Sequence, residues 1–284
     1  MTTNTAQLSR KPLRGPLGRL QNIVGSQFVT ALTILAYLFL FTPLVILIIY
    51  SFNASHSTAV WSGFSVNWYR VLFKDRYVFN ALRNSLMVAS SAALISTVLG
   101  TFAAVVLVRR KFKGKSLFST LMLSPLVLPE IVLGVAFLVF IVFLNIRLGF
   151  FSLIIAHIIL TLPYSTLIVR ASAAGLDRAL EEAAADLGAD EIRVFRFITL
   201  PLLFPGITAA FLLTFTISLD DYVMSMFAAG VGTTTLPLQI FSMLKVGITP
   251  EINALGTILI LFNLILVLLI GGQHLGRVMG STSA

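Results

Sequence analysis

Glu130, Asp220 and Asp221 are carboxylates set inside long apolar runs, and any chemistry this sequence performs would begin from that setting. A charged side chain at bilayer depth costs ~2.5 to 3.5 kcal/mol on insertion scales, so each must face a protein interior or a water path and needs a cation or a proton as partner. Plainer roles are open to all three. Glu130 follows Pro129 and suits the positive start of a restarted helix, while Asp220 and Asp221 suit capping of backbone at an outer helix end. Tyr222, beside them, fits a packed interfacial aromatic as well as a pathway wall. His157 lies in an apolar stretch with no acid near it in sequence, the pattern of a packed or hydrogen-bonded histidine rather than a proton relay. An acid–base pair of Glu130 and His157 would point to a membrane enzyme, yet no nucleophile, metal triad or phosphate loop accompanies it, and no catalytic residue is assigned. Met224, Met226 and Met243 read as packing.

The elements that must hold these residues are membrane spans. Of 284 residues 57% are hydrophobic and 11% charged, against roughly 25% charged in soluble domains. The apolar blocks exceed the ~18 to 20 residues that cross a bilayer as helix. The expected fold is therefore all-α, an integral membrane protein with about six transmembrane helices. These fall near Phe28–Tyr50, Ala81–Val108, Leu117–Phe143, Phe150–Val169, Leu202–Met226 and Ile252–Ile270. The third is interrupted by Pro125 and Pro129. Ala92, Ser96, Gly100 and Ala104 give the second a small-residue stripe for close helix approach. Pro237 and Gly247 frame a short amphipathic helix near the membrane surface.

Residues 1–27 read as a basic arm without clear period, 28–272 as the membrane domain and 273–284 as a tail. Fourteen of the 20 Lys and Arg fall in the arm, after the second and fourth helices and in the tail. That asymmetry puts both termini, and the loop at about 170–200, in the cytoplasm. Counted at ~1.5 Å per residue from the cytoplasmic helix ends, Glu130 and Asp220 lie ~20 to 27 Å in, and a similar depth allows one shared site. Cysteine is absent, and three scattered histidines make no metal centre. The net charge of +9 is explained by membrane topology rather than by nucleic acid.

The cytoplasmic loop holds six of the eleven acids. Asp177 to Leu187 reads as a helix, with Gly188 to end it and Asp190 to cap a second helix from Glu191, together a compact knob. Small alanines allow a partner surface to approach, and Glu181, Glu182 and Asp186 offer polar contacts around the rim. The spacing Glu182-Ala183-Ala184, Gly188, Ile198, Leu200-Pro201 resembles the signature loop of the permeases of ABC importers. No Gly-x-x-x-x-Gly-Lys-Ser/Thr loop is present; Gly114-Lys115-Ser116 ends like one, but Arg109 stands where its first glycine would be.

A narrower resemblance runs from the first helix to the sixth. Ser51-Phe52-Asn53, Gly63-Phe64 with Trp68-Tyr69, Leu128-Pro129-Glu130-Ile131-Val132, Ser218-Leu219-Asp220-Asp221, Leu236-Pro237-Leu238 and Pro250-Glu251-Ile252-Asn253-Ala254-Leu255 are similar to the spermidine/putrescine permeases. The basic arm lies outside the match. The resemblance implies a type I importer permease of the bacterial inner membrane. It implies a second, related permease, two copies of an ATPase holding ATP and magnesium, an extracytoplasmic binding protein, and no cofactor on this chain. Docking would fall to Glu182, Ala183, Ala184, Gly188, Ile198, Leu200 and Pro201. The substrate pathway would fall to Glu130, Asp220, Asp221 and Tyr222, carboxylates suited to the ammonium groups of a polyamine. Another amine-bearing solute, such as an amino-acid derivative or opine, and a secondary transporter driven by a coupling ion remain the alternatives.

Overall fold

In the computed structural model, backbone is described for residues 16–56, 60–247 and 249–280, and side chains for 27–56, 60–247, 249–265 and 268. Helix α1 (Pro16–Tyr50) begins with proline at its first position and runs on through Pro43. It therefore takes in residues 16–27, which the sequence reading had placed in an irregular arm. A tight turn follows, in which Asn53 binds the Val60 carbonyl (2.8 Å) and receives the Trp68 indole N–H on its own carbonyl (2.8 Å). This anchors α2 (Asn67–Leu72).

Helix α3 (Arg76–Arg109) starts five residues earlier than hydropathy suggests, because Asp75 caps it by accepting from the Tyr77 and Val78 amides. Helices α4 (Lys115–Leu123) and α5 (Glu130–Phe143) replace the single third span. A 3-10 turn at Ser124–Leu126 and Pro129 separate them, and the two halves meet at 106°. Proline removes an amide donor and disfavours helical geometry in the residue before it, and two prolines four residues apart favour a break where hydropathy alone shows a continuous run.

Helix α6 (Phe150–Ala174) is followed by α7 (Ala179–Asp186) and α8 (Glu191–Val194). A π turn at Phe195–Thr199 leads into α9 (Leu200–Asp220). Asp221 then interrupts the expected fifth helix, and α10 (Val223–Ala228) is a separate turn and a half. Helices α11 (Leu236–Val246) and α12 (Pro250–Gly280) complete the described chain.

Among the described residues, four stretches are long and apolar enough to cross a membrane: Gln27–Tyr50, Arg76–Arg109, Phe150–Ala174 and Glu191–Asp220. The bent α4–α5 pair makes a fifth when counted as one span. The sixth expected span falls on α12 (Pro250–Gly280), whose apolar part with described side chains is Pro250–Ile265.

The centre of the molecule is a three-helix bundle of α3, α6 and α9. Ala92, Ser96, Gly100 and Ala104 are all buried along its seam, as their four-residue spacing predicts. A methyl group on Gly100 would collide with Ser165 and with the Thr166 amide, so the α3–α6 approach depends on glycine there. Ser96 bonds Thr161 across the same seam at 2.8 Å. Leu203, Ala210, Val169 and Ala173 fill one end of the bundle, and Phe137, Ile141, Leu153 and Met224 fill the other.

Candidate docking and translocation sites

The loop between α6 and α9 folds into the knob its sequence describes. Asp177 accepts from the Ala179 amide at 3.0 Å to start α7, Gly188 ends it at φ +86, and Asp190 accepts from the Arg193 amide at 2.8 Å to start α8. A left-handed φ suits glycine because it has no Cβ to clash. Glu182, Ala183, Gly188 and Pro201 are exposed, and Ala184, Ile198 and Leu200 are half-buried beneath them. Leu187 and Ile192 stand 90% and 76% exposed, apolar side chains presented where a partner could cover them.

Glu181 departs from the sequence reading. Rather than decorating the rim, it turns inward: its Oε1 lies 3.0 Å from the Arg109 guanidinium and accepts from the Thr199 hydroxyl at 2.8 Å. Arg178 donates to the Val108 carbonyl (3.2 Å), and Arg110 pairs with Glu191 at the surface.

Within the bundle the three carboxylates take different environments. Asp221 is buried at the α9–α10 break. Its Oδ2 accepts from the Ser225 amide (2.8 Å) and its Oδ1 from the Met224 amide (3.2 Å), so it caps α10 as the plainer reading required. It also meets His157: Nε2 of the imidazole is 3.4 Å from Oδ2 and 3.1 Å from the Ser225 hydroxyl, while Nδ1 is 2.7 Å from the Ser218 hydroxyl. His157 is therefore a hydrogen-bonded core histidine with an acid beside it.

Glu130, first residue of α5 and half-buried, lies beside Asp221. Two neighbouring carboxylates repel, and a cation between them would relieve both.

Asp220 points elsewhere. With Thr216, Tyr222, Phe241 and Asn263 it lines a separate cavity of about 240 Å3 between α9, α11 and α12. The Tyr222 and Phe241 rings lie 4.7 Å apart there, and the Lys245 ammonium sits 4.8 Å from the Phe241 ring centre. The cavity thus offers what an ammonium group needs, a carboxylate and aromatic faces. Sequence reasoning had allowed one site for all three acids; the structure pairs Glu130 with Asp221 and sets Asp220 and Tyr222 apart.

The His157–Asp221 contact was missed because the residues are 64 positions apart. A signal was available in Ser218, Asp221 and Ser225, polar residues at i, i+3 and i+7, and in His157, Thr161 and Ser165 at i, i+4 and i+8. In sequence each set reads as one polar stripe on an apolar run, and such stripes are favoured to face each other rather than lipid.

Comparison with known proteins agrees with this picture. Residues 96–278 match the family described as binding-protein-dependent transport system inner membrane component. The spermidine/putrescine transport system permease protein PotC of Haemophilus influenzae is 42% identical over 239 residues, 84% of this chain and 93% of that one. The putrescine transport system permease protein PotI of Escherichia coli K12 is 40% identical over 245 residues, 84% of this chain and 87% of that one. Among solved structures, a bacterial alginate ABC transporter in complex with a pentasaccharide-bound periplasmic protein aligns with TM-score 0.65 at 16% identity, over 89% of this chain and 96% of that one. The MetNI methionine ABC transporter aligns with TM-score 0.54 at 18% identity, over 75% and 98%. These two likenesses concern the fold.

Proposed function

We propose that this chain, which belongs to the family of inner membrane components of binding-protein-dependent transport systems, is a permease subunit of an ATP-driven importer that carries polyamines such as spermidine and putrescine into the cytoplasm. The observation that carries the cargo is the 40–42% identity to polyamine permeases over 84% of the chain. The observation that carries the drive is the projecting knob, whose exposed Glu182 and Ala183 suit a separate ATPase.

In this reading two ATPase copies dock under this chain and a second permease, and a binding protein delivers cargo from outside. ATP and magnesium stay on the ATPases, and no cofactor or catalytic residue falls to this chain. Both termini and the knob face the cytoplasm, in keeping with the basic residues flanking α3 and α6. Closure of the ATPase pair moves the knob, the bundle turns outward, and hydrolysis returns it. The cation passes carboxylates held in two settings. Asp220 with Tyr222 and Phe241 offers an open carboxylate beside aromatic faces, and Lys245 on Phe241 is an ammonium already bound in that manner. Half-buried Glu130 beside buried Asp221 offers a carboxyl pair that a cation would stabilise.

The test is reconstitution of the chain with its neighbouring-gene permease, ATPase and binding protein in liposomes, with labelled spermidine and putrescine. ATP-dependent uptake that falls in Asp220→Asn and Glu130→Gln supports the proposal. Uptake that needs no ATPase overturns the importer reading. ATP-dependent transport that ignores polyamines moves the cargo to another amine.

A further inference from the structure

We infer that Glu181, through Arg109 and Thr199, is a positioning residue that fastens the docking knob to α3 and α9, so that knob and helices move as one body. This rests on the docking role proposed above. The knob's short helix α7 packs chiefly against α8 and the π turn, and between it and α3 lies a cavity of about 510 Å3 lined by Val105, Val106 and Phe195. Apolar packing therefore does not fill the gap. What crosses it is polar: Glu181 Oε1 takes the Arg109 guanidinium at 3.0 Å and the Thr199 hydroxyl at 2.8 Å.

Those two partners, one an ion pair and one a hydroxyl donor, stand on different elements, Arg109 in the last turn of α3 and Thr199 at the entry to α9. A single carboxylate oxygen thus joins the knob to two helices of the central bundle. The side chains of Arg109 and Glu181 are 13% and 20% exposed, enough removed from water for the pair to be screened weakly. The neighbouring Glu182 is exposed, at the rim of the same cavity. Adjacent acids divide the work, one gripping the ATPase and the other gripping the bundle. A push on the knob then reaches α3, and with it the Gly100 seam, without being absorbed in the cavity.

The experiment uses the full reconstituted assembly. Glu181→Gln and Arg109→Gln are expected to retain the ATPase on purification and to hydrolyse ATP, while uptake per ATP falls by about 2- to 30-fold, the range that coupling networks carry. The reversed pair Arg109→Glu with Glu181→Arg is expected to recover most of that ratio. Because the chain has no cysteine, Leu99→Cys and Ala179→Cys take spin labels cleanly. Their distance should stay fixed between nucleotide-free and ATP-trapped states and should broaden in Glu181→Gln.

An unchanged uptake per ATP in the single variants, loss of the ATPase from them, failure of the reversed pair to recover, or a wild-type label distance that differs between the two states would overturn the fastening. A wild-type assembly that hydrolyses ATP but moves no spermidine strikes the cargo proposal alone, and the label distances still decide this one.

Discussion

The knob and the buried knot around His157 are both polar clusters built from short side chains, yet they are held by opposite means. The bonds that shape the knob's own helices are local: Asp177 and Asp190 accept from amides two and three residues on, and the Gly188 amide donates to the Ala185 carbonyl. Water reaches most of it. In the knot His157 joins Ser218, Asp221 and Ser225 from 61 to 68 positions away, in a place no water screens. Local and exposed bonds can be lost one at a time. A distant, buried set stands or falls together, since each lost partner leaves another group unsatisfied.

The sharpest way to break this contrast is Asp221→Ala. It strips two backbone amides and His157 of their acceptor, and the expected cost is about 3 to 5 kcal/mol, read as a lower unfolding temperature in detergent. An unchanged unfolding temperature would mean that the knot does not hold the α9–α10 break. Next in size is Glu182→Arg, expected to weaken ATPase binding by about 2 to 4 kcal/mol, as a central interface contact does, with the permease's own unfolding unaltered. If the permease itself unfolds earlier, Glu182 serves the fold rather than the partner surface. Gly100→Ala, on the α3–α6 seam, should destabilise by about 1 to 3 kcal/mol through overpacking against Ser165. The smallest effect belongs to Glu191→Gln. It removes a pair whose side chains are 60% and 79% exposed, and a change below about 1 kcal/mol is expected in the same unfolding measurement.

The same contrast explains what could be read from the sequence. Capping residues, the glycine stop and the spacing from Glu182 to Pro201 are contiguous, so the knob was legible almost residue by residue. Glu181 was the exception, because Arg109 and Thr199 reach it from 72 and 18 positions away. The apolar blocks announced the spans, but hydropathy does not sense direction. Pro125 and Pro129 marked the interruption of the third span but not its 106° angle, and the break at Asp221 carried no such mark. The amino-terminal limit of α1 was missed because residues 16–27 carry too little apolar periodicity to signal helix, although Pro16 sits where a first turn accepts it. Asp220 and Asp221 looked equivalent as neighbours. The end of α9 between them sends one to the cavity and the other to the knot.

The π turn at Phe195–Thr199 carries a consequence for chain length. Each residue of an α-helix advances the azimuth by about 100°, and a π turn accommodates one residue beyond the α count. The helical path from Glu191 to Asp220 is otherwise continuous, so this surplus residue sets the angle at which everything ahead of it leaves the membrane. Deleting one residue there would restore a plain α-helix and swing the preceding segment about a third of a revolution, carrying Glu181 off Arg109 with no side chain altered. The aim of the knob is thus written in a count of residues, and a one-residue deletion at that turn would be felt even with Thr199 kept in place.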